Sequence, residues 1–258
     1  MPILVDHSSR VIYQGTLEEE DLFDLQQCLA YGTKIVALVG EGKQEVLGLP
    51  VFPTVAQAKK QTNGNVSWIR KHPQDIADSI LEAEDSSVEL IICMGLNPPV
   101  HDMREVRRIL KKHGKSRLLG PASFGAITPD QTKVGAMPAY IFSSGPVGVI
   151  STSASLAYEV AWQMTQAGVG ISTCVGTGDE QVEEIDGIVQ LFEQDRGTEI
   201  ILVIGHQCTK RRKPMLAYVQ KEHRKTVHKA GVEAIENIST IGEQLCSLCA
   251  KVRGTKYS

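Results

Sequence analysis

Short apolar runs alternate with longer amphipathic segments along most of the chain. The runs are rich in Val, Ile and Leu, which is typical of strands buried on both faces of a parallel sheet. In the segments between them, apolar residues recur at helical spacing, so the first half is predicted to be a series of βα units. Its strands are predicted at Val11–Gln14, Lys34–Val39, Val66–Arg70, Glu89–Met94 and Arg117–Leu119, and its helices at Glu19–Tyr31, Thr54–Gln61, Pro73–Asp85 and Val100–His113.

The alternation weakens between residues 122 and 146, where Pro129, Pro138 and Pro146 interrupt it. Proline is a strong local breaker, so this stretch is predicted to be a linker between a domain over 1–121 and a second domain over 147–258. The second domain repeats the βα pattern with about four parallel strands. These are Val147–Ser151, Thr173–Gly176, Ile200–Gly205 and Val232–Ile235, with helices at Ser155–Ala167, Ile185–Glu193, Pro214–Lys229 and Ile241–Val252.

Charge and hydropathy exclude several classes of partner. The 258 residues carry a net charge of −3, so no global positive field attracts nucleic acid or an anionic membrane. No apolar run is long enough to span a bilayer. The first residues, Met1–Val5, lead directly into a strand-like stretch, and we expect no signal peptide there.

The cysteines are scattered, mostly in apolar contexts, which indicates free thiols in a reducing compartment such as the cytoplasm or the mitochondrial matrix. Cys246 and Cys249 form a Cys-x-x-Cys pair inside a predicted helix, but no second pair of ligands accompanies them. We therefore expect no metal site. The six positions are Cys28, Cys93, Cys174, Cys208, Cys246 and Cys249.

The strongest local signal lies where the strand Val147–Ser151 turns through small hydroxyl residues into a helix. The first backbone N–H groups of a helix are unpaired and its dipole is positive there, so an anion is stabilised. Ser153, Ala154 and Ser155 are therefore candidate anion-binding residues. Ser153 or Ser155 could equally serve only as the N-cap of the helix.

This stretch is similar to the Ser-Arg-Ser-Gly-Thr-Leu-Thr-Tyr-Glu motif of succinyl-CoA synthetase alpha subunits, which adds Tyr158 to the candidate substrate-binding residues. Further matches follow in family order across most of the chain, and colinear agreement is more specific than one motif. The resemblance implies a Rossmann-like CoA-binding domain, a flavodoxin-like domain and a beta-type partner subunit. The matches are Ala30–Lys34, Leu47–Phe52, Asp78–Ala83, Leu119–Pro121, Ile127–Pro129 and Ser172–Gly176.

The family's CoA loop is altered in this chain. After the first strand the family carries Gly-Phe-Thr-Gly-x-x-Gly, whose glycines let the backbone approach the CoA phosphates. Here Gly15 keeps the first glycine, but Glu18 and Asp21 replace the other two. Lys43 matches a family lysine near those phosphates, but a single cation does not offset four acids at one helix start. CoA is possible as a cofactor, but these substitutions disfavour it.

The family's phosphohistidine loop, Gly-His-Ala-Gly-Ala, does not occur in the sequence. His206 stands where the family has the glutamate that orients the phosphohistidine, and it is the only candidate phosphate acceptor. His223 and His228 lie in a polar segment with a surface-like pattern. The family's Asn-Cys pair is replaced at residues 122–123, and its glutamate is replaced by Leu96. With the loop missing, we expect Val232–Ile235 either to pair directly beside Ile200–Gly205 or to leave an exposed apolar edge that a partner chain could cover.

Three functions fit these observations. The first is a non-catalytic alpha-like protein that serves as scaffold or regulatory partner of a beta-type ligase subunit, or that associates with itself. The second is a divergent acyl-CoA ligase subunit that uses Ser153–Ser155 to hold an anion and His206 to accept phosphate. The third is a module that binds a nucleotide, a carboxylate or a CoA ester without turnover.

Overall fold

A computed structural model describes residues 3–42, 44–178, 185–205, 215–218, 233–234 and 238–255. Lys43 and His206 lie outside these ranges, as do Cys208, His223 and His228. The described residues form two α/β units, each built around a seven-stranded sheet. The predicted α/β class is therefore confirmed.

The first sheet has the strand order β3-β4-β2-β1-β5-β6-β7. All neighbouring strands are parallel except β3 and β4, which form an antiparallel pair that the sequence pattern did not predict. The strands are β1 (Arg10–Gly15), β2 (Lys34–Val39), β3 (Glu45–Val46), β4 (Leu49–Phe52), β5 (Val66–Arg70), β6 (Leu90–Cys93) and β7 (Arg117–Leu119), and the helices are α1 (Glu19–Ala30), α2 (Val55–Thr62), α3 (Ile76–Asp85) and α4 (Val100–His113).

The second sheet has the order β14-β13-β12-β10-β11-β8-β9, in which the first five strands are parallel and the last two antiparallel. Its strands are β8 (Ala126–Thr128), β9 (Thr132–Val134), β10 (Ser144–Ser151), β11 (Ile171–Gly176), β12 (Ile200–Ile204), β13 (Met215–Tyr218) and β14 (Glu233–Ala234), and its helices are α5 (Ala154–Gln166), α6 (Ile185–Gln194) and α7 (Ile241–Thr255).

The predicted helix Pro214–Lys229 is wrong at its beginning, because Met215–Tyr218 is strand β13. Strand β13 pairs in parallel with β12, and β14 pairs with β13 instead of lying beside β12. The parallel part of the second sheet therefore has five strands, not four. Periodicity could not separate the alternatives, because four residues are too few to show it and the charged residues that follow suggested a polar helix.

The segment 122–146, predicted as a linker, contains strands β8 and β9, and β8 pairs with β11. This hairpin also contacts the first half of the chain: the Thr128 hydroxyl donates to the Val5 carbonyl at 2.7 Å, and the Thr33 hydroxyl to the Lys133 carbonyl at 2.6 Å. A buried apolar cluster continues across it from Tyr13 to Ile150. The hairpin thus joins the two sheets, while the domain ranges 1–121 and 147–258 stay a prediction.

Most of the described cysteines are buried, as the apolar residues around them in the sequence predicted. Among the described cysteines, Cys28, Cys93, Cys174 and Cys249 are buried and Cys246 is exposed, and none of them forms a disulfide bond. Burial raises the pKa of the Cys93 thiol to about 12. In the part of the chain that the structure covers, no helix is both long and apolar enough to cross a membrane.

Strand β10 lies at the centre of the second sheet, and Gly148 in it faces the ring of Phe192 on α6. A β-carbon at Gly148 would lie 2.4 Å from that ring. We expect Gly148→Ala to destabilise the protein by about 1–3 kcal/mol, because the ring would have to shift within a packed core. Chemical denaturation measures this. Gly197→Ala is the control, since its nearest contact is 3.4 Å, and equal stability of both variants would contradict the packing.

Candidate functional site

The carboxyl ends of β1 and β5 meet at the point where α1 begins. Gly15 and Arg70 are register partners at these ends, and helix α1 starts at Glu19. Ligands of open α/β sheets bind outside the carboxyl ends of the strands. A β-carbon at Gly15 would lie 2.2 Å from the Tyr13 ring, so only glycine fits there. We call residues 15–21 the first loop.

The carboxylate of Asp21 fills the inside of the first loop. Its Oδ2 accepts hydrogen bonds from the Leu17 amide at 2.9 Å, the Thr16 amide at 3.0 Å and the Thr16 hydroxyl at 2.9 Å. Leu17 adopts a left-handed conformation with φ of 58°. A backbone turn of this kind makes successive N–H groups converge on one anion. Asp21 is that anion, and only 3% of the residue is exposed.

Arg70 completes the environment of this carboxylate. Its Nε lies 3.2 Å from Asp21 Oδ1, and the other two nitrogens donate to Asp24 at 2.6 Å and Glu20 at 2.9 Å. All three nitrogens of the guanidinium thus face acids of helix α1. Asp21 was predicted from the sequence to obstruct a phosphate, but Arg70 was not predicted. The β1–β5 register that brings Arg70 to Asp21 is a tertiary feature.

The Tyr13 ring lies beside Gly15 of the first loop. It packs edge-on against Trp68, with the centroids 4.9 Å apart. Burial, and then the nearby charge of Asp21, raises the pKa of Tyr13. The phenol therefore stays neutral, and it adds no negative charge to the acids already present.

The second candidate position is the start of helix α5. Ser153 is its N-cap, and its hydroxyl accepts a hydrogen bond from the Leu156 amide at 3.4 Å. The Ser151 hydroxyl in turn donates to the Ser153 carbonyl at 2.9 Å. The capping role considered for Ser153 is therefore present. Ala154 and Ser155 are in the first turn, where amides have no intrahelical partner.

Ser155 and Tyr158 share a cavity of about 480 Å³ beside helix α5, whose lining also includes Tyr140 and Trp162. The Tyr158 ring packs edge-on against Phe124 at 5.8 Å. Burial raises the pKa of Tyr158 to about 12, so this phenol is a hydrogen-bond donor at neutral pH. The structure thus brings two of the predicted residues together in one cavity, with Ser153 holding the helix start.

The end of strand β12 lies against the turn before α5. The Thr152 amide donates to the Ile204 carbonyl at 3.2 Å, and a β-carbon at Gly205 would lie 2.2 Å from the Thr152 hydroxyl. His206 is the next residue, and it lies outside the described residues. Its role as phosphate acceptor therefore stays a prediction, as does any role of Lys43.

The residues that replace the family's Asn-Cys pair tie the two sheets together. On the side of the first sheet, the Ser123 amide donates to the Cys93 carbonyl of β6 at 3.1 Å. The Ser123 hydroxyl donates to the Gly176 carbonyl at 2.6 Å and accepts from the Gly125 amide at 3.0 Å. Ser123 is buried, whereas Leu96 is largely exposed at the end of the first sheet. Ser123 is therefore fully engaged in structural hydrogen bonds.

Two sequence families match this chain. The family described as CoA binding domain matches residues 6–95, and the one described as succinyl-CoA ligase like flavodoxin domain matches residues 144–238. The alpha subunit of ADP-forming succinate–CoA ligase from Aquifex aeolicus is 40% identical over 241 residues, which are 91% of this chain and 79% of that protein. The corresponding subunit from Staphylococcus aureus strain N315 is 42% identical over 80% of this chain and 69% of that protein.

Solved structures share the fold at lower identity. ATP citrate lyase from Methanothrix soehngenii, in complex with citrate and coenzyme A, superposes with a TM-score of 0.84 at 15% identity over 99% of this chain. This chain spans 52% of that one. The dinucleotide-forming acetyl-coenzyme A synthetase 1 from Ca. Korarchaeum cryptofilum gives 0.75 at 18% identity, over 93% of this chain and 60% of that one. These likenesses agree with the predicted Rossmann-like and flavodoxin-like folds of the two parts of the chain.

The contacts of Arg70 can be tested directly. We expect Arg70→Met to destabilise the protein by roughly 1–3 kcal/mol, because it leaves the buried Asp21 carboxylate without its cation. Thermal and urea denaturation measure this. Arg108→Met is the matched control, since Arg108 pairs among the described residues with the exposed Glu105, and loss of this surface pair should leave the midpoint unchanged. If the two variants behave alike, Arg70 does not stabilise the loop.

Proposed function

Because this chain belongs to the succinate–CoA ligase alpha-subunit family, we propose that it serves as a non-catalytic alpha-like partner of a beta-type ligase subunit. The observation that carries the proposal is the Asp21 carboxylate, which takes the first-loop amides that a phosphate would need. The altered loop alone could be a change of specificity. Together with the missing phosphohistidine loop, it affects both halves of the family's reaction.

Admission of a CoA phosphate to the first loop would require Asp21 to leave its hydrogen bonds. Hydrogen bonds to charged groups contribute about 1.5–3 kcal/mol each. Loss of even two of them would weaken binding by roughly 100-fold or more. The neighbouring carboxylates of Glu18, Glu19 and Glu20 would add repulsion at the same helix start. These costs support the proposal that the loop does not hold CoA as the family does.

The second support is the sequence of the two connections that flank strand β13. Residues 205–214 connect β12 to β13, and residues 219–232 connect β13 to β14. Neither connection contains the Gly-His-Ala-Gly-Ala sequence that accepts phosphate in the family. The histidines of the second connection, His223 and His228, stand in a charged sequence that does not match that motif. The family's phosphate-carrying loop is therefore missing.

An exposed aromatic surface supports the partner role. Tyr140 is 83% exposed, Phe23 is 61% exposed and Trp162 is 47% exposed. Tyr140 lines one cavity with Phe23 and a second with Trp162, so the three side chains belong to one continuous surface. Large exposed apolar patches mark interaction sites in soluble proteins. We assign this surface to contact with the beta-type subunit, with self-association as the alternative occupant.

One observation favours the divergent ligase as a second candidate. The cavity with Ser155 and Tyr158 is formed, and the chain reaches His206 directly after Gly205 contacts the turn before α5. An anion at this helix start would lie close to the residue before His206. This arrangement could hold a phosphorylated or carboxylate substrate with or without turnover, which also keeps the small-molecule binding function open.

The CoA part of the proposal predicts a gain of function. The wild-type protein should show no CoA binding by isothermal titration calorimetry, whereas Glu18→Gly/Asp21→Gly should bind CoA measurably. The double substitution removes the internal carboxylate and reopens the amides of Thr16 and Leu17. Glu19→Gly is the control, because it removes one acid of the same turn but leaves Asp21 in place. Tight CoA binding by the wild-type protein would refute the proposal.

The partner and phosphate parts are tested in one mixture. Combined with a beta-type succinate–CoA ligase subunit, this chain should form a stable complex in light scattering. Incubated with γ-labelled ATP, succinate and CoA, the complex should carry no acid-labile phosphate on this chain, because the acceptor loop is missing. The Aquifex aeolicus alpha subunit serves as the positive control. Label that disappears with His206→Asn would establish the divergent ligase instead.

A further inference from the structure

A cavity of about 460 Å³ lies between helix α1 and the segment that follows strand β9. We call it the Lys133 cavity. Its volume is within the range of sites that hold small molecules. Phe23, Gln27 and Tyr31 of the α1 region form one wall, and Lys133, Met137 and Tyr140 form the other. The succinate–CoA ligase resemblance assigns no role to these side chains.

Lys133 is a buried cation in this lining. Only 4% of the residue is exposed, and its ammonium donates to the Met137 carbonyl at 2.9 Å. Its backbone is held from both sides by Thr33, whose hydroxyl accepts from the Lys133 amide at 3.2 Å and donates to the Lys133 carbonyl. An ammonium group has three donors, so one hydrogen bond leaves two available.

The described residues supply no ion pair for this ammonium. Asp24 also lines the cavity, but its carboxylate accepts from Arg70 at 2.6 Å. Cys28 lies near enough for the charge of Lys133 to act on it. Burial nevertheless raises the pKa of the Cys28 thiol to about 11, although Lys133 opposes the shift, so no thiolate neutralises the lysine at pH 7.

A buried cation without a counter-ion is costly, and an anionic ligand would remove that cost. The remaining lining combines three aromatic residues with apolar ones such as Met137 and Pro138. Tyr31 is anchored by its hydroxyl, which accepts from the Asp130 amide at 2.9 Å, while Phe23 and Tyr140 are exposed at the opening. Such walls suit an apolar body attached to a charged head.

We propose that the Lys133 cavity binds a small organic carboxylate of the arylalkanoate class. The carboxylate accepts from the free donors of the Lys133 ammonium, and the apolar body packs among Phe23, Tyr31 and Tyr140. The site does not include the first loop, so it does not require that the chain binds CoA. It shares Tyr140 with the cavity beside helix α5, and Phe23 and Tyr140 also belong to the surface assigned to the beta-type subunit. Binding is therefore tested on the chain without that subunit.

Three probes with the same phenyl body separate charge from shape: 3-phenylpropanoate, phenethylamine and L-phenylalanine. Isothermal titration calorimetry of the full chain should show saturable binding of 3-phenylpropanoate and none of phenethylamine. L-Phenylalanine reports whether Asp24 also accepts an ammonium group, and its binding should depend on Lys133 equally. Equal binding of the amine and the carboxylate would overturn recognition through Lys133, as would absence of heat with 3-phenylpropanoate.

Lys133→Met should weaken binding of 3-phenylpropanoate by about tenfold or more, as expected for loss of a hydrogen bond to a charged group. Lys34→Met is the matched control, because the Lys34 ammonium also donates to a carbonyl, that of His7, but at an exposed position. If Lys133→Met does not fold, Ala136→Trp at the exposed mouth should block the same probe by bulk. Unchanged affinity in the cavity variant that folds would disprove the site.

Discussion

The buried carboxylate of Asp21 determines the electrostatics at the carboxyl ends of β1 and β5, where helix α1 begins. Two amides, one hydroxyl and the Arg70 guanidinium surround it, so a charge that would be costly to bury is fully compensated. The loop that could cradle a phosphate is thereby satisfied from within the chain. The same arrangement fixes the start of helix α1 and links it to β5. Loop geometry, helix start and occupation of the loop amides by a side-chain carboxylate therefore have one physical cause.

The start of helix α5 also presents unpaired backbone N–H groups, but here the capping group is a serine hydroxyl and not a carboxylate. Ser153 uses its hydroxyl to cap the helix, and the first turn of α5 contains no acidic residue, while Glu159 lines the neighbouring cavity. A neutral cap satisfies one amide and leaves the positive end of the dipole available. The two helix starts thus differ in whether the chain supplies its own anion. Any anionic ligand of the family type is more compatible with the second sheet than with the first.

The sheets and core of the family are kept more completely than the sequence motifs of its loops. The second sheet retains five parallel strands, with β13 between β12 and β14, and the β8–β9 hairpin packs against both halves of the chain. Sheet and core depend on apolar burial spread over many residues, so they tolerate change at a few polar positions. A phosphate loop depends on a few glycines and one histidine. This difference explains how the sheets and core of the family can persist while the sequences of its loops change.

The pattern of apolar positions was sufficient for the βα series of the first sheet, the strand β10 and the capped start of α5, because these features are local. The resemblance to the family, not periodicity, identified Glu18 and Asp21 as departures from a glycine loop. Periodicity failed at Met215–Tyr218, where four residues were too few for a period. Only the tertiary structure brought Arg70 to Asp21 and isolated Lys133 beside an aromatic cavity. Pairing across strands and burial of single charges depend on the register and packing of distant segments, which no local pattern encodes.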